Sequence, residues 1–313
     1  MNKKHLTCLF IFFSVFAWGQ KKIDTPLTNE HVHIKGTKIS LVPPEGFTEA
    51  INFLGLQEIE MGASIMVVEL PGPYSETSGG INKESLLSKG VILKNIEKLI
   101  INGLPAMMIT GTQKAYGNNF TKYMLVMGTE KETIIVNGAL PEYLNESGEK
   151  IKESLLTIYY EENKQTDPFA TIDFSIDVTG TKLKFAKNIA NSLIFTTDGM
   201  VPTNSADKTN LIVAKSISPM LQEDKKLYSL NRIRQTPFKI DTITHVREIS
   251  IDGISGYEIF ANGKSEKSDE TESIYQVILF NDEFYYILFG TTNDPTDKSM
   301  DDIKKAILTF KRK

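Results

Sequence analysis

The chain has 313 residues, 41% of them hydrophobic and 24% charged, with a formal charge of −4. This is the composition of a folded chain, since a disordered one carries fewer large apolar residues and more net charge. The acidic balance leaves no basic footprint for nucleic acid, and the length suits two domains of about 100–200 residues each.

The first nineteen residues read as a signal peptide. Lys3 and Lys4 give a positive start, Leu6 to Ala17 is an apolar run, and Ala17-Trp18-Gly19 puts small residues at the −3 and −1 positions of a cut before Gln20. The run is shorter than the ~18–20 residues that span a bilayer, which weighs against a retained anchor. Cys8 precedes most of the apolar run, the wrong order for a lipidated cysteine. Removing residues 1–19 takes away Lys3 and Lys4, so basic residues fall from 35 to 33 against 39 acidic ones and the charge becomes −6. The only cysteine and the only tryptophan leave with them, so the mature chain has no disulfide in an oxidising space. No second long apolar segment follows, so no transmembrane segment is expected after cleavage. These features predict a periplasmic or secreted protein.

In chain order, residues 20–33 form a polar leader with Pro26, expected to be mobile. Thr37 to Val42 is a short strand, stopped by the turn Pro43-Pro44-Glu45-Gly46-Phe47. Ser64 to Leu70 is rich in β-branched residues and reads as a buried strand. Asn82 to Lys89 is a short helix capped by Asn82. Ile92 to Ile101 is a strand, and Asn102-Gly103 is the strongest hairpin signal of this half. Leu104 to Thr112, Phe120 to Thr129 and Lys131 to Ala139 continue as strands. Ser147 to Tyr159 closes the half as a helix, with Ile151, Leu155, Ile158 and Tyr159 on one face.

Polar residues 162–171 read as a linker. The second half then repeats the plan. Lys182 to Phe185 and Asn210 to Ile217 are strands, Leu221 to Arg234 holds a helix, and Thr242 to Ile251 is a strand leading to the turn Asp252-Gly253. Gly256 to Gly263, Glu272 to Asn281 and Glu283 to Thr291 are strands, and Ser299 to Phe310 is the closing helix.

A tandem duplication underlies this parallel. Gly36-Thr37-Lys38-Ile39 recurs as Gly180-Thr181-Lys182-Leu183, 144 positions on. Ile101-Asn102-Gly103 recurs as Ile251-Asp252-Gly253, 150 positions on. Lys150-Ile151-Lys152 with Leu155-Leu156-Thr157 recurs as Asp302-Ile303-Lys304 with Ile307-Leu308-Thr309, 152 positions on. So long a period means two similar domains, not a solenoid. The predicted organisation is a signal peptide (1–19), a leader (20–33), one domain (34–161), a linker (162–171) and a second domain (172–313). Strands joined by tight turns and accompanied by helices predict an α+β fold, each domain an antiparallel sheet flanked by helices.

The stretch Gly36-Thr37-Lys38-Ile39-Ser40-Leu41-Val42-Pro43-Pro44-Glu45-Gly46-Phe47, the hairpin Ile101-Asn102-Gly103-Leu104-Pro105-Ala106 and the helix at 149–158 resemble the PsbP-like fold family. That family includes the extrinsic photosystem PsbP proteins and small bacterial envelope proteins of the DcrB type. Gly253-Ile254-Ser255-Gly256 gives the second half the same hairpin, but that half has Asn188 to Asn191 where the Pro-Glu-Gly-Phe turn would be. The resemblance implies tandem domains of a secreted bacterial protein and a role in binding or assembly.

Chemistry is sparse. The mature chain offers only His31, His33 and His245 as bases, and no Gly-x-Ser-x-Gly elbow occurs. His31-Val32-His33 puts two imidazoles on one face of an extended segment, as two zinc ligands would need, but no third ligand is fixed by spacing. Gly-rich phosphate loops are absent. The acidic run from Ser265 to Glu272 lacks the glycine and spacing of a calcium loop and reads as a hairpin tip. Asp294, Asp297, Asp301 and Asp302 read as turn and helix-start residues. Alternation puts Phe284, Tyr286 and Leu288 on one face of a strand and Tyr285, Ile287 and Phe289 on the other, as in a central core strand. Tyr74, Tyr116 and Phe120 sit near loops as candidates for a contact surface. The expectation is therefore a non-catalytic binding or assembly protein of the cell envelope, with no catalytic, cofactor-binding or metal residue assigned and no cofactor. Its partner would be an envelope protein or a small ligand, and an exposed apolar patch is expected near the domain junction. A metal-assisted hydrolase or a small-molecule-binding protein is the alternative.

Overall fold

The computed structural model describes residues 20–115, 117–217, 224–266, 268–282, 284–294 and 296–313. The predicted signal peptide and Tyr116 lie outside these residues, as does the start of the helix expected from Leu221.

The first half runs β1 (Lys21–Ile23), β2 (Val32–His33), β3 (Ile39–Leu41), β4 (Thr48–Glu49), β5 (Gly55–Glu58), β6 (Ala63–Pro71), α1 (Tyr74–Gly79), α2 (Lys83–Leu87), β7 (Val91–Ile101), β8 (Leu104–Ala115), β9 (Asn118–Gly128), β10 (Glu132–Pro141), α3 (Asn145–Leu156) and β11 (Tyr159–Tyr160). The second runs β12 (Phe174–Ser175), β13 (Lys184–Ile189), β14 (Ser192–Thr196), β15 (Asn210–Lys215), α4 (Lys225–Ile233), β16 (Phe238–Ile251), β17 (Ile254–Ser265), β18 (Thr271–Phe280), β19 (Tyr285–Thr292), α5 (Asp297–Ile307) and β20 (Lys311–Arg312).

The two large sheets share one strand order. The first is β1-β7-β8-β9-β10-β6-β5-β4 and the second is β16-β17-β18-β19-β15-β14-β13, read from the corresponding edge. Only β1 is extra: it pairs with β7 in parallel, at Lys21 opposite Leu99 through Ile23 opposite Ile101. Residues 20–33, expected as a mobile leader, thus hold two strands, with β2 paired to β3.

The helix-flanked α+β expectation is corrected. Strand makes up 48% and helix 15%, so the fold is β-rich, dominated by sheets of eight and seven strands. The hairpins run longer than the sequence pattern implied, and β16 alone has 14 residues. The helices are too short to form layers of their own. Each supplies a few anchors to a core built mostly by strands: Ile151 and Leu155 of α3 join Val67, Leu125 and Val136, while Ile303 and Ile307 of α5 join Val213, Val277 and Leu288. Smaller clusters occupy the opposite face of each sheet, with Leu86 and Ile109 in one and Ile233 and Ile259 in the other. β19 lies between β15 and β18, with Tyr286 and Leu288 buried on one face and Phe289 on the other, as its two-sided apolar pattern predicted.

Local chemistry explains the recurring motifs. Asn102-Gly103 and Asp252-Gly253 both take positive φ in two-residue turns between long strands. In Gly36-Thr37-Lys38 and Gly180-Thr181-Lys182 the glycine has positive φ. The threonine hydroxyl donates to the carbonyl of Ile34 (2.8 Å) or Val178 (2.7 Å). The lysine then tethers the turn: Lys38 Nζ reaches Glu132 of β10 at 2.8 Å, and Lys182 Nζ reaches Asp207 at 2.5 Å and Asp294 at 3.5 Å, in the loops before β15 and after β19, and also contacts Ser299 of α5.

This lysine makes a testable contribution. Burial pushes the Asp207 carboxyl up, but hydrogen bonds from Lys182 and Thr209 outweigh it and hold it below the usual range. A carboxyl with a depressed folded pKa stabilises above its unfolded value, and that stability is lost as pH falls through the folded value. Lys182→Met is therefore expected to shift acid unfolding to higher pH. Circular dichroism against pH would check this, and an unchanged acid limb would contradict it.

Candidate binding groove

On the α5 face, the outer hairpin of β16 and β17 extends past the helix. The hollow left between them has a volume of about 390 Å³ and is lined by His245, Arg247, Glu258, Phe260, Tyr275 and Lys304, with Ile249 and Leu308 at its ends. Two-residue periodicity brings these side chains to one face, from β16, β17 and β18, while Lys304 comes from the last turns of α5.

The floor is aromatic. Phe260 stacks on Tyr275 with ring centroids 4.3 Å apart and planes at 17°. His245 meets Phe260 edge-on at 5.9 Å, and Lys304 Nζ lies 5.0 Å from the Phe260 ring centre, within cation–π range.

Beneath this floor sits a buried carboxylate. Glu258 is only 2% exposed. The Tyr275 hydroxyl donates to its Oε2 at 2.5 Å, and Arg247 Nε donates to its Oε1. Burial pushes the Tyr275 hydroxyl up to about 12, with Arg247 pulling the other way, so it stays a donor at neutral pH. The Arg247 side chain is 63% exposed. The pair therefore runs from the interior to the groove mouth, and the guanidinium keeps its remaining donors at the surface. The one carboxylate of the lining is already satisfied by two donors, so the groove offers cations and an aromatic platform to a ligand.

The histidines are not brought together. His31 contacts Thr28 at Nδ1 (2.9 Å) and the Thr157 carbonyl at Nε2 (2.9 Å). His33 Nδ1 contacts the Ile39 carbonyl at 3.1 Å, and burial leads the factors that lower its pKa. His245 lies in the other half, in the groove. Among the described residues no three His, Cys, Asp or Glu side chains gather as a metal site would need. The acidic run forms the β17–β18 tip, as expected. Asp294 accepts from Thr296 and Ser299 at the start of α5, and these bonds hold it well below the usual carboxylate range.

Of the loosely proposed contact residues, Tyr74 begins α1 and lines a first-half hollow of about 720 Å³ with Ile81, Ile96 and Met107. Phe120 pairs across β9 with Pro141 of β10. At the junction, Ile51, Phe169 and Ile217 are exposed apolar side chains, and the Asn52 amide donates to the Ile217 carbonyl at 3.5 Å. A crevice of about 300 Å³ lies between residues 49–55 and 170–173.

The groove was largely missed by sequence reasoning. The sequence marks His245 only as one of three histidine bases, and its pattern does not single out Arg247, Phe260 or Tyr275. The signal that could have found it is Glu258, a lone acid within the apolar strand Gly256-Tyr-Glu-Ile-Phe-Ala261.

Among the described residues no helix is long and apolar enough to cross a membrane. No family model and no curated protein matches the chain. Distant likenesses occur among solved structures. A protein from Bacteroides thetaiotaomicron is 12% identical over 47% of this chain, with a TM-score of 0.31; the chain spans about half of that protein, 52%. The T6SS immunity protein TplEi from Pseudomonas aeruginosa is 8% identical over 90% of this chain and 96% of its own, with a TM-score of 0.33. A chain of a Tle4–Tli4 complex is 8% identical over 86% of this chain and 98% of its own, with a TM-score of 0.31. Likenesses at these scores carry no argument about this chain's function.

Proposed function

We propose that the chain is a non-catalytic binding protein of the bacterial cell envelope, and that its second half contacts the partner through the groove between α5 and the β16–β17 hairpin. The observation that carries this reading is the built pair at the groove: a surface guanidinium, Arg247, fixed by a buried carboxylate, Glu258, and by the Tyr275 hydroxyl. Burying a carboxylate is costly unless it is paired, and here the pairing pre-orients an exposed cation beside an open aromatic face. Pre-oriented Arg and aromatic side chains are what tight protein contacts use. The envelope location rests on the signal peptide read from residues 1–19, and the PsbP-like motifs support binding over catalysis.

The test is capture from envelope fractions with the mature chain, alongside a Lys304→Glu variant. Lys304 is half-buried, with its ammonium 3.5 Å from Asp301, and its side chain belongs to no core cluster, so the reversal changes the charge of the groove and leaves the core intact. The reading expects at least one protein held by the wild type and lost from the variant. Identical capture by both would contradict it.

A further inference from the structure

Among the described residues the strand β16 ends its sheet, with β17 as its one neighbour. In the first half the corresponding edge is occupied. There β1 lies along β7 and the Asn102 N–H donates to the Ile23 carbonyl at 2.9 Å. The molecule itself thus shows that this edge accepts an extended segment. In the second half the chain's end does not take that place: Arg312 bonds to Asp252 at the turn, and β20 pairs with β12.

The open edge has usable geometry. Its two bulges lie before His245, at Ile240/Thr242 and Ile243/His245, so residues 245–251 form a regular stretch. Ile251 and Ile254 flank a two-residue turn. Residues flanking such a turn exchange both backbone hydrogen bonds, so Ser250, Glu248 and Val246 aim their N–H and C=O groups outward. The first half follows the same rule, since Asn102, one residue beyond Ile101, donates outward. No proline interrupts β16, and a bare edge of this kind is a template for another strand.

The groove lies along the same stretch, with His245, Arg247 and Ile249 on one face. A strand added to β16 would therefore place alternate side chains beside the exposed Arg247 and the half-buried Lys304. Its other side chains would lie over the half-buried, apolar Val246 on the α4 face.

We propose that β16 binds a partner by β-strand addition along Val246 to Ser250, and that the incoming segment is an extended peptide alternating acidic and aliphatic residues. Backbone bonds to the edge give affinity, and the groove reads the acidic side chains. The proposal rests on the groove reading for its charge preference, but the pairing itself is separable.

The probe is a fluorescently labelled, end-capped peptide of four Glu–Val repeats, titrated by anisotropy against the mature chain. Glu248→Pro removes an outward donor and sets a ring against the incoming strand, while leaving the β16–β17 bonds in place. Glu248→Ala controls for the loss of the side chain, and melting curves confirm that both variants fold. The expected result is that Glu248→Ala binds no more weakly than the wild type, since it keeps the backbone donor and removes a like charge, while Glu248→Pro binds at least about tenfold more weakly, and a Lys–Val peptide does not bind. Equal binding by the alanine and proline variants overturns strand addition. If Lys304→Glu also weakens binding in that case, the groove reading survives its failure. Loss with Glu248→Pro but none with Lys304→Glu sustains the edge and overturns the groove. A concentration-dependent dimer abolished by Glu248→Pro, with no peptide binding, overturns the proposal in favour of pairing between two copies.

Discussion

Gly290→Ala is expected to destabilise the second half by about 1–3 kcal/mol, the usual cost of overpacking a core. A Cβ at Gly290 would lie 2.4 Å from Ile303 Cγ2, with Cδ1 at 3.2 Å and Cγ1 at 3.3 Å. Ile303 is fully buried on α5, and its β-branched side chain has little rotamer freedom in a helix. Neither helix nor strand can yield without disturbing the core around Val277 and Leu288. Chemical denaturation would measure the loss. On an Ile303→Ala background the same change should cost much less, because the clashing methyl is gone. Equal cost on both backgrounds would show that the close approach is not the cause.

The same contact occurs in the first half. A Cβ at Gly138 would lie 2.5 Å from Ile151 Cγ2 of α3. Positions 138 and 290 are 152 apart, as are 151 and 303, the offset of the closing-helix motif. Gly111 and Gly263 share that offset too, and each backs onto a carbonyl oxygen of the neighbouring strand, of Ile92 in β7 at 2.7 Å or Lys239 in β16 at 2.8 Å. These glycines permit close packing of helix on sheet and strand on strand in both halves.

Arg247→Ala is expected to cost about 2–3 kcal/mol at neutral pH, somewhat under the usual price of breaking a buried pair because water can reach the vacated mouth. Glu258 would keep only the Tyr275 hydroxyl as partner. The deficit should narrow as pH falls through the carboxylate range, since protonation removes the uncompensated charge. Adding Glu258→Gln to Arg247→Ala should recover part of the loss. A deficit that stays constant with pH, or a double variant weaker than the sum of the singles, would contradict the assigned pairing.

Much of the succession of strands and tight turns along the chain was legible because it rests on local chemistry. Asn102-Gly103 and Asp252-Gly253 announce tight turns, and Asn82 caps α2 by accepting from the Ser85 N–H at 2.9 Å. The Gly-Thr-Lys motifs recur because each builds the same hydroxyl-to-carbonyl turn and the same lysine tether. The balance of helix and strand was not legible. Polar residues such as Lys239 and Asp241 hide the first part of β16, before the strand expected from Thr242, because an open edge tolerates polarity that a central strand does not. The three-residue β1 carries no periodicity, and its parallel pairing depends on an edge formed some 70 residues later. Gly138 and Gly290 look like ordinary strand glycines until the closing helices are docked. The groove gathers residues from three strands and a helix, and Glu258, a lone acid in an apolar strand, is the one local signal the sequence offers for it.

The central claim is that binding occurs at the groove and open edge of the second half. Amide hydrogen exchange on the mature chain, with and without the Glu–Val peptide, tests it directly. The account predicts slowed exchange at Val246, Glu248 and Ser250, whose amides face no neighbouring strand. Slowing confined to residues 49–55 and 170–173, or to the hollow around Tyr74 and Ile81, with 245–251 unchanged, would contradict it.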